Sequence, residues 1–311
     1  MVSFRWAIYI PSLIFLNACR EDSASVGSKK QQMLDSNATK VVAEKPEKSI
    51  PERMSIQYHF EYKKAWSKKD SFEGFQHQSV LAAINRVDVQ HLQRLDSFLV
   101  PDKYEDSLSV YFPFPVQSDV LSDINKIIIF SYPTQSFAAY ENGSLVISGP
   151  TNMGKKASKT PLGLFFCNWK AKETRSTVDN DWILKWNFNV SNRGGVGFHQ
   201  YDLPGYPVSH SCMRLWAEQA EFLYYWAEQW KLDGSNRLLA KGTPVIVYGE
   251  YPFGQPRPWF ALAADSKSLD INEKMMEDIV SPHKTIILEE QQKRLDYLNK
   301  QSAGTIATAH Q

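Results

Sequence analysis

The sequence predicts a β-rich α+β protein with one main helix at its centre, a helical lead-in before it and a helical appendage after it. Three observations point there. Between Ile124 and Ser148 short apolar runs flank an Asn-Gly dipeptide. After Arg214 the apolar spacing changes from two to three and four. Beyond Asp270 the chain is highly charged, with leucines along one side.

Ile124 to Ser131 is a continuous Ile-rich run and reads as a buried strand. Ser136 to Tyr140 and Leu145 to Ser148 alternate around Asn142-Gly143, which is the pattern of a two-residue hairpin. Lys155 to Thr160 forms a basic, small-residue loop, and Leu164 to Trp169 follows as a strand. The aromatic stretch Trp182 to Val190 fits a strand, a lid over a site, or both. The turn Ser191 to Gly195 feeds a strand from Val196 to His199. Ala217, Ala220, Leu223, Tyr224, Ala227 and Trp230 keep helical spacing, with Gly234 as the stop. Val245 to Tyr248 completes the core. Asp270 to Val280 and Ile286 to Leu298 are expected as two helices packing on the domain or meeting a partner, with fraying after Gln301.

The N-terminal third divides into three parts. Residues 1–19 have the form of an export signal: Arg5, an apolar run from Ala7 to Phe15, then Leu16-Asn17-Ala18-Cys19. Leu-x-Ala-Cys resembles a bacterial lipobox, with Asn17 a departure, and implies cleavage before Cys19 and lipidation of its sulfur; an ordinary secretory signal is the alternative. Residues 20–53 are rich in Ser, Lys, Glu and Gln and poor in aromatics, so they read as a tether. Its r.m.s. span would be about 30 Å. Residues 54–122 form an accessory region. The helix-like Ser79 to Val87, containing Asn85, and the run ending Phe98-Leu99-Val100-Pro101 faintly resemble the back half of a LysM-type glycan-binding module, though a plain helical lead-in explains them as well.

Composition narrows the function. A net charge of +1 over 311 residues provides no basic face for nucleic acid. Three cysteines offer no disulfide framework, so a core built from 43% hydrophobic residues must hold the fold. Of these cysteines, Cys167 reads as a buried strand residue.

The chemistry concentrates between Phe198 and Leu215, where His199, Ser209, His210, Cys212 and Arg214 share one Gly- and Pro-punctuated stretch. A thiol becomes a strong nucleophile when an imidazole or a helix N-terminus lowers its pKa, and both devices are near Cys212 in sequence. Arg214 is suited to clamp a substrate carboxylate or to anchor the loop. Taken singly, such a Cys is more often an inert small hydrophobe and such a His a satisfied polar residue. A zinc site of His199, His210 and Cys212 has suitable atoms but no CxxC or HExxH spacing, and no metal or cofactor is expected.

The run Ser209-His210-Ser211-Cys212-Met213-Arg214, preceded by Phe198-His199, resembles the signature of the L,D-transpeptidase catalytic domain. Tyr140-Glu141-Asn142-Gly143, Thr160-Pro161-Leu162-Gly163-Leu164-Phe165 and Gly242-Thr243-Pro244-Val245-Ile246 resemble further motifs of that family in the same order. The resemblance spans Ile127 to Tyr248 and places a catalytic domain at 123–250, with a helical appendage at 251–311. It implies an enzyme acting on peptidoglycan stem peptides, whose nucleophile is Cys212, and either reading of residues 1–19 places that enzyme outside the cytoplasm. His199 is the expected base, positioned by a backbone carbonyl near Gln200, and His210 the stabiliser of the thiolate and oxyanion loop, with the two exchangeable. Ser209 and Ser211 would shape that loop. Two departures stand out: Ser211 occupies the family's glycine, and the loop from His199 to Ser209 is short.

Overall fold

In a computed structural model, residues 56–62 and 77–309 are described. Thus the expected signal, the tether and lipidation at Cys19 lie outside the described residues. The elements come in chain order as β1 (Tyr58–Tyr62), α1 (Gln78–Asn85), α2 (Val89–Leu92), β2 (Ser97–Pro101), β3 (Lys126–Ser131), β4 (Ser136–Glu141), β5 (Ser144–Pro150), β6 (Gly163–Phe166), β7 (Lys170–Arg175), β8 (Ile183–Ser191), β9 (Val196–Gln200) and β10 (Met213–Leu215). There follow α3 (Ala217–Trp226), β11 (Lys231–Leu232), β12 (Leu238–Ala240), β13 (Pro244–Tyr248) and α4 (Glu273–Ala309).

The Ile-rich run owes its lack of alternation to a central position. β3 lies third in the five-stranded sheet β5-β4-β3-β13-β6, parallel to β13 and antiparallel to β4. Ile128 and Phe130 enter one core, while Ile127 and Ile129 enter another on the opposite face. A strand covered on both sides has no polar face to display. The hairpin forms as expected, with Asn142 and Gly143 both at positive φ (49° and 79°), as a type I′ turn requires.

The second sheet, β10-β9-β8-β7, lies across the first core, to which it contributes Phe188, Phe198 and Met213. The expected strand Leu164–Trp169 in fact stops at Phe166. There the chain passes from one sheet to the other: the Cys167 N–H donates to the Thr243 carbonyl, and the Asn168 N–H to that of Asn189. Cys167 is fully buried at this corner, and burial holds its thiol far above the ordinary range.

Three further expectations change. The main helix ends at Trp226 rather than near Gly234, because Glu228 and Trp230 bond instead to Thr243 and Asn168 and draw the backbone into extended form. The two C-terminal helices are one, α4, which runs through Pro282 and past Gln301 to Ala309. Met276 and Val280 before the proline and Ile287 after it are all buried in the second core, so packing on both sides outweighs the lost backbone bond. The lead-in is not purely helical, since β1 and β2 pair antiparallel with α1 and α2 between them. Its Asn85 is buried and bonds Leu81 and Leu99 through side-chain atoms, tying the end of α1 to β2. Among the described residues no helix is long and apolar enough to cross a membrane.

Candidate active site

β9 and β10 run parallel with Met213 opposite Phe198, Arg214 opposite His199 and Leu215 opposite Gln200. Phe198 and Met213 point into the core, so the alternation of strands sends His199 and Arg214 to the other face. There Ser176, Trp182, Leu184, His199, Tyr201, Ser209, His210, Cys212 and Arg214 line one cleft. The expected residues His199, Ser209, His210, Cys212 and Arg214 therefore converge, whereas Ser211 and Gln200 do not line the cleft. Trp182 settles the aromatic stretch: β8 is a strand, and Trp182 at its entrance packs on His210 and Tyr201 at 5.6 and 6.0 Å between ring centres.

Cys212 sits just before β10, where the register carried one step back sets it opposite Gly197. A Cβ at position 197 would lie 2.6 Å from the Phe188 carbonyl oxygen, so the close approach of β8 excludes any side chain there. The Cys212 thiol donates to the Gly195 carbonyl at 3.6 Å, and a backbone N–H at Gly197 favours its ionised form. Burial is the larger effect and moves the thiol pKa up, with Arg214 opposing it only in part. The expectation of a resting thiolate is thereby reversed. The helix N-terminus does not rescue it: β10 separates Cys212 from α3 by roughly 10 Å, beyond the first turn where the helix dipole acts.

His199 is 3% exposed. Its Nδ1 donates to the Gln200 carbonyl at 2.9 Å, which leaves Nε2 as the unprotonated nitrogen. Burial, with the Arg214 charge adding to it, brings the ring down to about 4, so at neutral pH it is a free base. The cleft thus holds a neutral thiol and a neutral imidazole. Arg214 stacks on Tyr201, 4.5 Å from the ring centre, and donates to the Asp202 carbonyl at 3.4 Å.

Ser211 has φ = 84°, the left-handed region expected at the family's glycine position. Its hydroxyl bonds the His210 carbonyl, and Ser209 Oγ donates to the Cys212 carbonyl at 2.6 Å, closing the loop around the thiol. Holding a β-carbon in that backbone region costs about 1–2 kcal/mol, partly offset by the freedom a glycine would lose. Ser211→Gly is accordingly expected to raise stability by about 0.5–1 kcal/mol, seen as a higher denaturant midpoint at unchanged slope.

Two supports for this loop were not expected. On one side Asn152 exchanges backbone bonds with Arg214, Lys155 and Met153 bond Ser209, and Lys155 Nζ reaches His210 Nε2 at 2.8 Å. On the other, the Asp88 N–H donates to the Leu203 carbonyl at 2.9 Å, and the Leu203 N–H returns a bond to the Asp88 carboxylate at 2.6 Å. His91 Nδ1 adds a third contact to the Leu203 carbonyl at 3.0 Å. Among the described residues no group of three or more His, Cys, Asp and Glu is placed to hold a metal ion.

Residues 125–247 match the YkuD family model, described as the L,D-transpeptidase catalytic domain. That span includes His199, His210, Cys212 and Arg214. Among solved structures, the chain is similar to an L,D-transpeptidase from Stackebrandtia nassauensis (21% identity, 41% of this chain and 57% of that one, TM-score 0.34). It is also similar to LdtMt1 in complex with imipenem (18%, 40% and 59%, TM-score 0.33) and to an L,D-transpeptidase from Mycobacterium tuberculosis H37Rv (20%, 40% and 58%, TM-score 0.33). The chain thus spans less than two thirds of the length of these structures. No curated protein matches it.

Proposed function

We propose that the protein is an exported L,D-transpeptidase that cross-links or remodels peptidoglycan through a thioacyl-enzyme on Cys212. The observation that carries this reading is a cleft-lining thiol sharing its cleft with a buried imidazole whose Nδ1 proton is held by a backbone carbonyl. The catalytic-domain match over 125–247 supports the same reaction class.

In this reading His199 Nε2 takes the thiol proton as sulfur attacks the carbonyl at the L-centre of the third stem residue. The tetrahedral oxyanion is held in the loop of Ser209 to Cys212. Its collapse forms the thioester, and the proton on His199 passes to the departing D-amino acid. An amine of a second stem then attacks the thioester, losing its proton to His199, and the thiol is restored. Because both partners rest neutral, sulfur is activated during attack rather than beforehand. Arg214 is positioned to bind a stem carboxylate. Lipidation of Cys19 would keep the enzyme at a membrane surface, and residues 54–122 would serve as an accessory region with a LysM-like back half.

The test is incubation with a purified stem tetrapeptide, with and without an amine acceptor, followed by mass spectrometry. Loss of the terminal D-residue with incorporation of the amine supports a transpeptidase. Water alone as acceptor would make it an L,D-carboxypeptidase. No turnover, together with no covalent adduct from a carbapenem, would leave a non-catalytic cell-wall-binding protein.

A further inference from the structure

Lys155 stands in a short loop that the fold holds tightly. The Tyr132 hydroxyl donates to the Gly154 carbonyl, the Gly154 N–H to Thr160 Oγ1, and the Lys155 N–H to the Ser209 carbonyl. A Cβ at position 154 would lie 2.2 Å from the Ser158 carbonyl oxygen, so the loop closes on itself with no room for a side chain there. The result is that Lys155 Nζ lies 2.8 Å from His210 Nε2.

A lysine side chain has donors and no acceptor, so the nitrogen it meets must offer a lone pair. His210 therefore carries its proton on Nδ1. That atom is buried and has no hydrogen-bond partner, although the ring lines the cleft beside Cys212. A buried donor left open is unfavourable until an acceptor arrives, and an oxygen of a bound peptide is the group that would satisfy it. The charged or titratable groups around the ring are Lys155, Arg214, Cys212, His199 and Tyr201. Desolvation, then the positive charges of Lys155 and Arg214, keep the ring below the ordinary imidazole range.

We infer that Lys155 is a positioning residue that locks His210 as a neutral, Nδ1-protonated hydrogen-bond donor for substrate oxygen, and so removes it as a competing base. This deepens the transpeptidase reading and divides the two histidines by role. His199 presents an acceptor nitrogen, while His210 presents a donor.

Long-range ¹H–¹⁵N spectra of the full chain test it, with His210→Gln used to assign the resonances. The wild-type ring is expected to show a protonated Nδ1 and an unprotonated Nε2 at pH 7. Lys155→Met is expected to mix the two tautomers and to move the titration midpoint upward toward about 6.5. Lys155→Arg, which still donates N–H, is expected to keep a single tautomer. A wild-type ring protonated on Nε2, or a Lys155→Met ring indistinguishable from wild type, overturns the inference. In turnover, Lys155→Met is expected to lower kcat about tenfold, with a new loss of activity below pH 6.5 and little change in KM; an unchanged pH profile would overturn the catalytic consequence. The spectra decide the tautomer whether or not the wild type turns over, so failure of the enzyme reading is seen separately.

Discussion

Cys212→Ala is expected to abolish both the covalent adduct with a carbapenem and turnover of the stem tetrapeptide, a loss of roughly 10⁴- to 10⁶-fold. Two neighbours are poorly placed to take over the covalent step: Cys167 is fully buried at the corner between the sheets, and Ser209 donates its hydroxyl to the Cys212 carbonyl. The substitution removes one small sulfur atom and keeps the β-carbon, so stability should change by less than about 1 kcal/mol. Intact mass after carbapenem treatment and rate of tetrapeptide loss are the two measurements. Undiminished turnover in this variant would end the nucleophile assignment. The wild-type thiol carries its own signature: because burial raises its pKa, alkylation by iodoacetamide should be slow at pH 7 and still be accelerating above pH 9.

His199→Gln should act in two places at once. As the base it replaces, it should lower kcat by about 10²- to 10⁴-fold. It should also change how stability responds to acid. The buried ring titrates at about 4 in the fold, while an imidazole in the unfolded chain titrates near 6.5. Between these values the unfolded chain binds a proton that the folded one refuses. Stability from this group is therefore complete above pH 6.5 and falls as pH drops toward 4. Urea unfolding at pH 7.5 and 4.5 should show the wild type losing about 2–3 kcal/mol more than the variant. Parallel losses in the two proteins would mean the ring is not held neutral.

Much of the core was readable from local pattern. The Asn142-Gly143 turn and the Ile-rich β3 report their structure within a few residues, because turn geometry and double-sided burial each leave a short-range mark. The cluster around Cys212 was equally readable, since Ser209 to Arg214 are neighbours in sequence. The state of the thiol was not. It depends on how far the folded chain desolvates the sulfur, which no neighbouring residue encodes. Lys155 lies 55 positions from His210 and Asp88 lies 115 from Leu203, so neither contact leaves a periodic trace. α4 continued past Pro282 for a similar reason: the opposing surface that buries Met276 and Ile287 comes from distant strands.

The bond pair between Asp88 and Leu203 bears on how this protein could be divided or diversified. A chain begun after residue 88 would lack the hook that grips the segment joining the two histidines, so the N-terminal piece is not an interchangeable cassette. Swapping it for another module would mean re-creating that grip, and lineages that altered one side would be expected to alter the other in step.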